Sequence, residues 1–439
     1  MNAGRIFVAL MIATGIIGTF VSRADFYGHL IVLGVLLVAG ARIWVSAVTR
    51  SIRFNRQPEF WRASVGDIFK EQYEILNTGR LRGGWVELYN EMPLPSVSGS
   101  RLLTRLQPRE KQVYIARTWL TRRGGFPVGP TSLTISDPLG LFRMKRTFKA
   151  ERSLVVLPMV FPVQEFPTPA GFLPGGQVIR RKTSDVTPHA AGVRPYVTGD
   201  PMKRIHWPTS ARRGQLLVKE FEQDPQAEVW IFLDAQGSVQ AQKAYETPAM
   251  PLESLLFSRK PRLTLPPSTL EYSISVAASL AHYFISRNRA VGFVAKDRAY
   301  AMIAPERSQR QETKILETLA FIEGKGDMSI SALCSAHARL LPRGATVILI
   351  TPSVALELLV AIDDLSRRKL HPMLVLLNAE SFDGRPGSET IVHRLADLRV
   401  PVRRLDCDTD LASALSNIGA SSFSEGTFTW QRPILSHLT

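Results

Sequence analysis

The stretch "EVWIFLD", Glu228 to Asp234, sets the fold of the larger part of this chain. An unbroken apolar run this short, closed by acids on both sides, suits a strand buried on both faces of a parallel sheet. Three more runs share its texture: "AVGFVA" (Ala290 to Ala295), "ATVILIT" (Ala345 to Thr351) and "HPMLVLLN" (His371 to Asn378). Helical patterns lie among them, "LEYSISVAASLAHYFISR" (Leu270 to Arg287), "ETKILETLAFIEG" (Glu312 to Gly324) and "ALELLVAIDDLSRRK" (Ala355 to Lys369). Strand and helix in alternation predict a doubly wound α/β domain. Ligands of such sheets bind beyond the carboxyl ends of the strands, which makes Asp234 the residue to inspect.

Immediately upstream, "RPYVTGDPMKRIHWPTSARRGQLLVKEFE" (Arg194 to Glu222) crowds arginines, a histidine, a tryptophan and several acids together. Asp200 reads as an N-cap, with Pro201 at the first helical position and Pro208 ending or kinking the short helix. Gly214 suits a second stop, and "QLLVKEFE" reads as a strand leading towards the α/β sheet. The spacing of Asp200 and Arg204 puts both on one helical face. The structural reading pairs Arg194, Arg204 and Arg212 with Asp200, Glu220 and Glu222 in a polar network that pins the segment against the sheet.

Further out, residues 163–190 form a Pro/Gly-rich linker carrying a solvated "RRK" at Arg180 to Lys182. Residues 51–162 read as strands and turns. "IFKEQYEILN" (Ile68 to Asn77), "GWVELYNEM" (Gly84 to Met92) and "KQVYIARTWLTRRGGFPVGP", read as strand, Gly-Gly turn and strand, are examples. Six to eight such strands at roughly ten-residue spacing predict a β-sandwich of immunoglobulin-like kind, acting as a spacer and interaction module.

Residues 1–50 differ again. "IFVALMIATGIIGTFV" (Ile6 to Val21) carries no charge, and a second apolar run extends from Phe26 to Ala41 and resumes past Arg42 to Val48. At about 1.5 Å per residue the first covers roughly 24 Å of a hydrocarbon core of about 30 Å, so flanking residues share the span. Together they predict a transmembrane helical hairpin. A signal peptide is the competing reading of the first run, opposed by the second apolar run so close behind it. Arg42, Arg50, Arg53 and Arg56 at the exit of the second helix, and Arg5 before the first, predict that both termini and the soluble domains face the cytoplasm.

Lys plus Arg total 54 against 38 Asp plus Glu, a formal charge of +16. A basic domain beside an anionic leaflet accounts for part of that excess without nucleic acid. Cys334 and Cys407 are the only cysteines, too few for a disulfide framework and at no zinc spacing, which fits a reducing compartment. His189 and His206 lack partners at metal-ligand spacing and read as capping or packing residues.

Chemistry is hard to place here. Asp200, His206 and Ser210 supply the residue types of a triad, yet no Gly-x-Ser-x-Gly elbow accompanies the serine. The arginines near Trp207 could grip a phosphate, but the chain lacks the Gly-x-x-x-x-Gly-Lys-Ser/Thr loop that cradles a nucleotide.

The segment with Arg194, Tyr196, Gly199, Asp200, Arg204, His206, Trp207, Ser210, Arg212, Gly214, Lys219 and Glu220 resembles the signature of the bacterial family "domain of unknown function 58". The hydrophobic hairpin, "DPLGLF" (Asp137 to Phe142) and "LPPSTLEYSISVAASLA" (Leu265 to Ala281) resemble members of that family as well, and Pro195 departs from an acidic residue frequent in relatives. The resemblance implies a membrane-tethered protein whose carboxyl-terminal domain (within residues 191–439) is similar to von Willebrand factor A. It further implies, as partners, a MoxR-type AAA+ ATPase and in some cases a transglutaminase-like protein, in an accessory or adaptor role, and it implies no established enzymatic activity. The adhesion site of such domains is similar to Asp-x-Ser-x-Ser, where this chain has Asp234-Ala-Gln-Gly-Ser238, with Gln236 replacing the first serine and Pro352-Ser353 following the strand that ends at Thr351. Asp234 and Ser238 are therefore expected to form a degenerate site, and neither Mg²⁺ nor another cofactor is expected.

The resulting expectation is a non-enzymatic adaptor in a bacterial plasma membrane, binding neither nucleic acid nor a small-molecule substrate. The alternative is a hydrolase or nucleic-acid-processing enzyme centred on Asp200, Arg204 and His206.

Overall fold

The computed structural model describes residues 3–22, 24–94, 101–104, 106–149, 152–166, 190–197, 202, 205–221, 228–248 and 263–416. The chain divides into two compact units, residues 1–159 with 244–266 and 316–322, and residues 160–243 with 267–315 and 323–439.

The first unit begins with two apolar helices, α1 (Ala3–Val21) and α2 (Asp25–Ser51), both long and apolar enough to cross a membrane. α2 has 27 residues, about 40 Å at the standard rise, some 10 Å more than a hydrocarbon core needs. The surplus turns are part of a protein core. Val45 and Val48 are fully buried among Ile52, Tyr73, Val86, Leu88, Leu106 and Ile135.

Among the described residues, ten strands follow: β1 (Ile52–Pro58), β2 (Arg62–Ser64), β3 (Ile68–Asn77), β4 (Trp85–Asn90), β5 (Arg101–Thr104), β6 (Lys111–Trp119), β7 (Gly124–Pro127), β8 (Thr131–Ser136), β9 (Arg143–Phe148) and β10 (Ser153–Leu157). They form three sheets, ordered β1-β3-β6, β5-β4-β8-β9 and β2-β10-β7. The first two bury a common core, because alternation along β3 and β4 turns Tyr73, Ile75, Val86 and Leu88 to the same side. The third sheet closes over its own cluster, with Phe69, Leu120, Leu154 and Val156. Three sheets stand where two were expected, and the Gly-Gly pair read as a turn instead opens β7. A buried polar brace joins the two facing sheets. Arg56 Nε donates to Glu71 at 2.7 Å, the Tyr73 hydroxyl donates to Glu71 at 2.9 Å, and Arg56 also donates to Thr131 Oγ1 at 3.1 Å. Burial pushes the Glu71 carboxyl up, against the opposing pull of Arg56.

The second unit contains a small antiparallel pair and a large sheet. The pair is β11 (Ala190–Pro195) with β12 (Leu217–Phe221), connected through a chain segment that includes α3 (Trp207–Arg213). The large sheet is built from β13 (Val229–Leu233), β14 (Val291–Lys296), β15 (Tyr300–Glu306), β16 (Thr346–Thr351), β17 (His371–Leu377) and β18 (Val402–Leu405). Its order is β15-β14-β13-β16-β17-β18, parallel except for β15, which runs antiparallel to β14 at the edge. The helices are α4 (Thr269–Ser286), α5 (Gln309–Phe321, whose residues from Leu316 on belong to the first unit), α6 (Ile330–His337), α7 (Glu357–Arg367), α8 (Ser388–Asp397) and α9 (Leu411–Ser416). α6, α7 and α8 bury Leu333, Ile362 and Leu395 against Trp230, Phe232, Val347, Leu349 and Leu374 of one sheet face. The alternate residues, Ile231, Leu233, Ile348 and Ile350, are also buried, and α4 packs along β13, β14, β16 and β17. Helices on both faces explain why these strands read as unbroken apolar runs.

Candidate functional site

Chain order in the large sheet reverses at β13, whose neighbours are β14 on one side and β16 on the other. This is the switch point at which open α/β sheets form their binding crevice. Asp234 follows β13 directly and is 1% exposed. Its Oδ2 accepts from Thr351 Oγ1 across the sheet at 2.6 Å, and its Oδ1 accepts from the Gln236 backbone N–H at 3.0 Å. Thr351 Oγ1 in turn accepts from the Ser353 N–H at 2.9 Å. Burial pushes the Asp234 carboxyl up to about 6, and the two hydrogen bonds pull it down only in part.

Neighbouring groups are engaged in the same way. Gln240 donates to the Asp234 carbonyl at 3.0 Å and accepts from Thr269 Oγ1 at 2.8 Å. Asp297, after β14, takes the backbone N–H groups of Glu323 and Lys325 at 2.8 and 2.6 Å. Asn378, after β17, donates to Asp406 at 2.6 Å and accepts from Ser388 at 2.9 Å. Each of these side chains holds a loop at the carboxyl end of the sheet. Ser238 lies exposed on the short turn Gly237–Val239. Asp297, Asn378, Asp406 and Ser388 went unnoticed as site residues in the sequence, although for the first three a polar residue directly after a strand was the available signal.

The oxygen set does not fit a divalent cation. Asp234 contributes one carboxylate with both oxygens already engaged, and among the described residues no three acidic, histidine or cysteine side chains converge.

In the signature segment, His206 is the N-cap of α3. Its Nδ1 accepts from the Thr209 N–H at 3.2 Å and lies 2.7 Å from Thr209 Oγ1. Pro208 does not end a helix, as its ring suggested. It occupies the first turn of α3, where its missing N–H costs nothing. The helix stops at Gly214, whose φ of 65° is the left-handed conformation glycine adopts without strain. Ser210 is buried; its Oγ accepts from the Leu217 N–H at 2.9 Å and donates to the Leu217 carbonyl at 3.3 Å. That clasp fixes the turn from α3 into β12 and engages the Ser210 hydroxyl with the backbone of Leu217. Tyr196 is half-buried and donates its N–H to the Leu216 carbonyl at 2.9 Å, while Trp207 and Arg212 are exposed. Arg194, Lys219 and Glu220 lie in the paired strands β11 and β12. Their side chains, together with Gly199, Asp200, Pro201, Arg204, Glu222, His189 and residues 167–189 of the expected linker, lie outside the described residues.

Residues 192–247 match the family described as "Protein of unknown function DUF58". The DUF58 match thus begins on β11 and runs through α3, β12 and β13 to the Asp234 loop. The "Uncharacterized protein YeaD" of Bacillus subtilis (strain 168) is 32% identical over 124 residues, 27% of this chain and 30% of the relative, so the match spans about a third of that protein. Among solved structures, the CARDB domain of the PF1109 protein from Pyrococcus furiosus is 13% identical, with 24% of this chain and 91% of that one covered and a TM-score of 0.18. The β-glucosidase EmGH1 from Erythrobacter marinus is 18% identical, with 22% and 15% covered and a TM-score of 0.15. Likenesses of that size carry no argument about fold or chemistry.

Proposed function

We propose that this chain is a membrane-anchored, non-enzymatic adaptor, two-pass in a bacterial plasma membrane with both termini and the soluble units on the cytoplasmic side. It works with a MoxR-type AAA+ ATPase in the assembly or maturation of a protein complex. The observation that carries this reading is the state of the polar groups at the switch point. Asp234, Thr351, Gln240, Asp297 and Asn378 are consumed in bracing loops, which leaves a shaped surface rather than a poised acid, base or nucleophile. A fully engaged network of this kind rigidifies what it supports, as a recognition surface requires. The burial of Cys334, which pushes its thiol up, is in keeping with the same reading.

We read the α/β sheet as von Willebrand factor A-like, supported by Asp234 closing its first strand at the switch point. We read the facing sheets of the first unit as an immunoglobulin-like sandwich, supported by their common core. The basic exit of α2 supports the cytoplasmic orientation. The experiment that tests the non-enzymatic reading is His206→Ala in the full chain, assayed for hydrolysis of ester, phosphate and nucleic-acid substrates and for ATPase retention. The expected result is unchanged retention, with no turnover from the native chain or the variant. A turnover present in the native chain and lost in the variant would overturn the proposal.

A further inference from the structure

The loop Asp137–Phe142, "DPLGLF", leads from β8 to β9 and lies against the amino-terminal end of the helical hairpin. Leu141 is buried with Val8 of α1 and Ala41 of α2. Arg5 Nε donates to the Leu141 carbonyl at 2.6 Å, and the Gly4 Cα sits against the Leu139 carbonyl where any Cβ would overlap it. Leu139, by contrast, is 51% exposed.

Depth along the helices follows from their length. If Asp25 marks one edge of the hydrocarbon, a core of about 30 Å ends some twenty residues later, near Val45, and Ala41, where Val8 and Leu141 meet, lies about 6 Å inside that edge. Gly4 stands four residues before Val8, so Leu139 beside it lies about 6 Å further out, at the boundary between the hydrocarbon and a headgroup layer roughly 5–8 Å thick. Arg5, Arg42 and Arg143, all exposed, stand next to Gly4, Ala41 and Phe142 in the chain. They bring positive charge to the level of the lipid phosphates.

The loop's backbone is also suited to that layer. Asp137 is buried, its Oδ2 accepts from the Leu139 N–H at 3.0 Å, its Oδ1 accepts from the Phe142 N–H at 2.5 Å, and its carbonyl accepts from the Gly140 N–H at 3.0 Å. A loop that satisfies these groups internally loses little on leaving water. We infer that Asp137–Phe142 is an interfacial anchor that inserts Leu139 among the phospholipid headgroups and, with Arg5, Arg42 and Arg143 on the lipid phosphates, fixes the depth of the hairpin. The inference rests on the membrane reading of α1 and α2.

The test uses the full chain with Cys407→Ser, reconstituted in nanodiscs of phosphatidylethanolamine and phosphatidylglycerol. A fluorophore sensitive to polarity is placed at Leu139→Cys, at Val35→Cys in α2 or at Ile115→Cys on β6. The expected result is a blue-shifted Leu139 probe, quenched several-fold by lipids carrying a nitroxide near the headgroup. The Val35 probe is quenched by a nitroxide deep in the acyl chain, and the Ile115 probe by neither. A Leu139 probe that behaves like Ile115 while Val35 is quenched overturns the anchor and leaves the hairpin standing. A Val35 probe that also escapes quenching overturns both.

Discussion

Asp234 is held in its ionised form at a cost that two hydrogen bonds only partly offset. Its carboxyl titrates near 6 in the folded chain against about 3.9 when unfolded. Between those values the folded state binds more protons than the unfolded one, so stability falls as pH rises from about 4 to 6 and stays lower above. The penalty is on the order of 2–3 kcal/mol at neutral pH. Asp234→Asn removes it while keeping an acceptor for the Gln236 N–H. The expected outcome in thermal melts is a more stable variant at pH 7.5 whose pH dependence between 4 and 6 is flattened. An unchanged slope would show that Asp234 is not the titrating group. At this scale the sequence marked Asp234 by its place after an apolar strand. Its partner Thr351 was not legible as one, because the bond joins residues far apart in the chain that only sheet register brings together. His206 was read as a capping or packing residue and caps α3, whereas the clasp made by Ser210 was not legible, since it depends on where the chain turns from α3 into β12.

Helix α2 shows what hydropathy reads and what it misses. Val35 and Val48 belong to one apolar pattern, yet Val35 is exposed on the hairpin and Val48 is fully buried in the β-core. Lipid and protein interior are both apolar, so composition does not separate them; helix length does, because the surplus turns must be covered by something other than hydrocarbon. Val48→Ala is expected to lower the stability of the first unit by roughly 2–3 kcal/mol, and Val35→Ala by less than about 0.5 kcal/mol. Guanidinium denaturation in detergent compares them, and equal losses would place Val48 in lipid. The four buried parallel strands were read within a residue or two of their ends, because burial on both faces leaves an unmistakable run. β15 and β18 were missed. β15 is an edge strand with alternating exposure, and β18 is short and only partly buried, so neither carries that run. Pro208 was misread because its ring is tolerated in the first helical turn as readily as it ends a helix.

At the scale of the whole molecule, the chain comprises two compact units, the first of which includes both apolar helices, and has a formal charge of +16. The proposed orientation sets that charge beside an anionic leaflet, and the proposed adaptor role gives the loops at the carboxyl ends of the sheet a task that needs shape rather than reactivity. What composition and periodicity could reach was the architecture; the use made of each polar residue emerged only from its neighbours in space. The most direct measurement is co-purification of the full chain from detergent with a MoxR-type AAA+ ATPase, native against Ser238→Arg on the exposed Gly237–Val239 turn. Retention by the native chain, reduced roughly tenfold by the arginine, is the predicted result. An ATPase that the native chain does not retain, or that Ser238→Arg retains equally well, would contradict it.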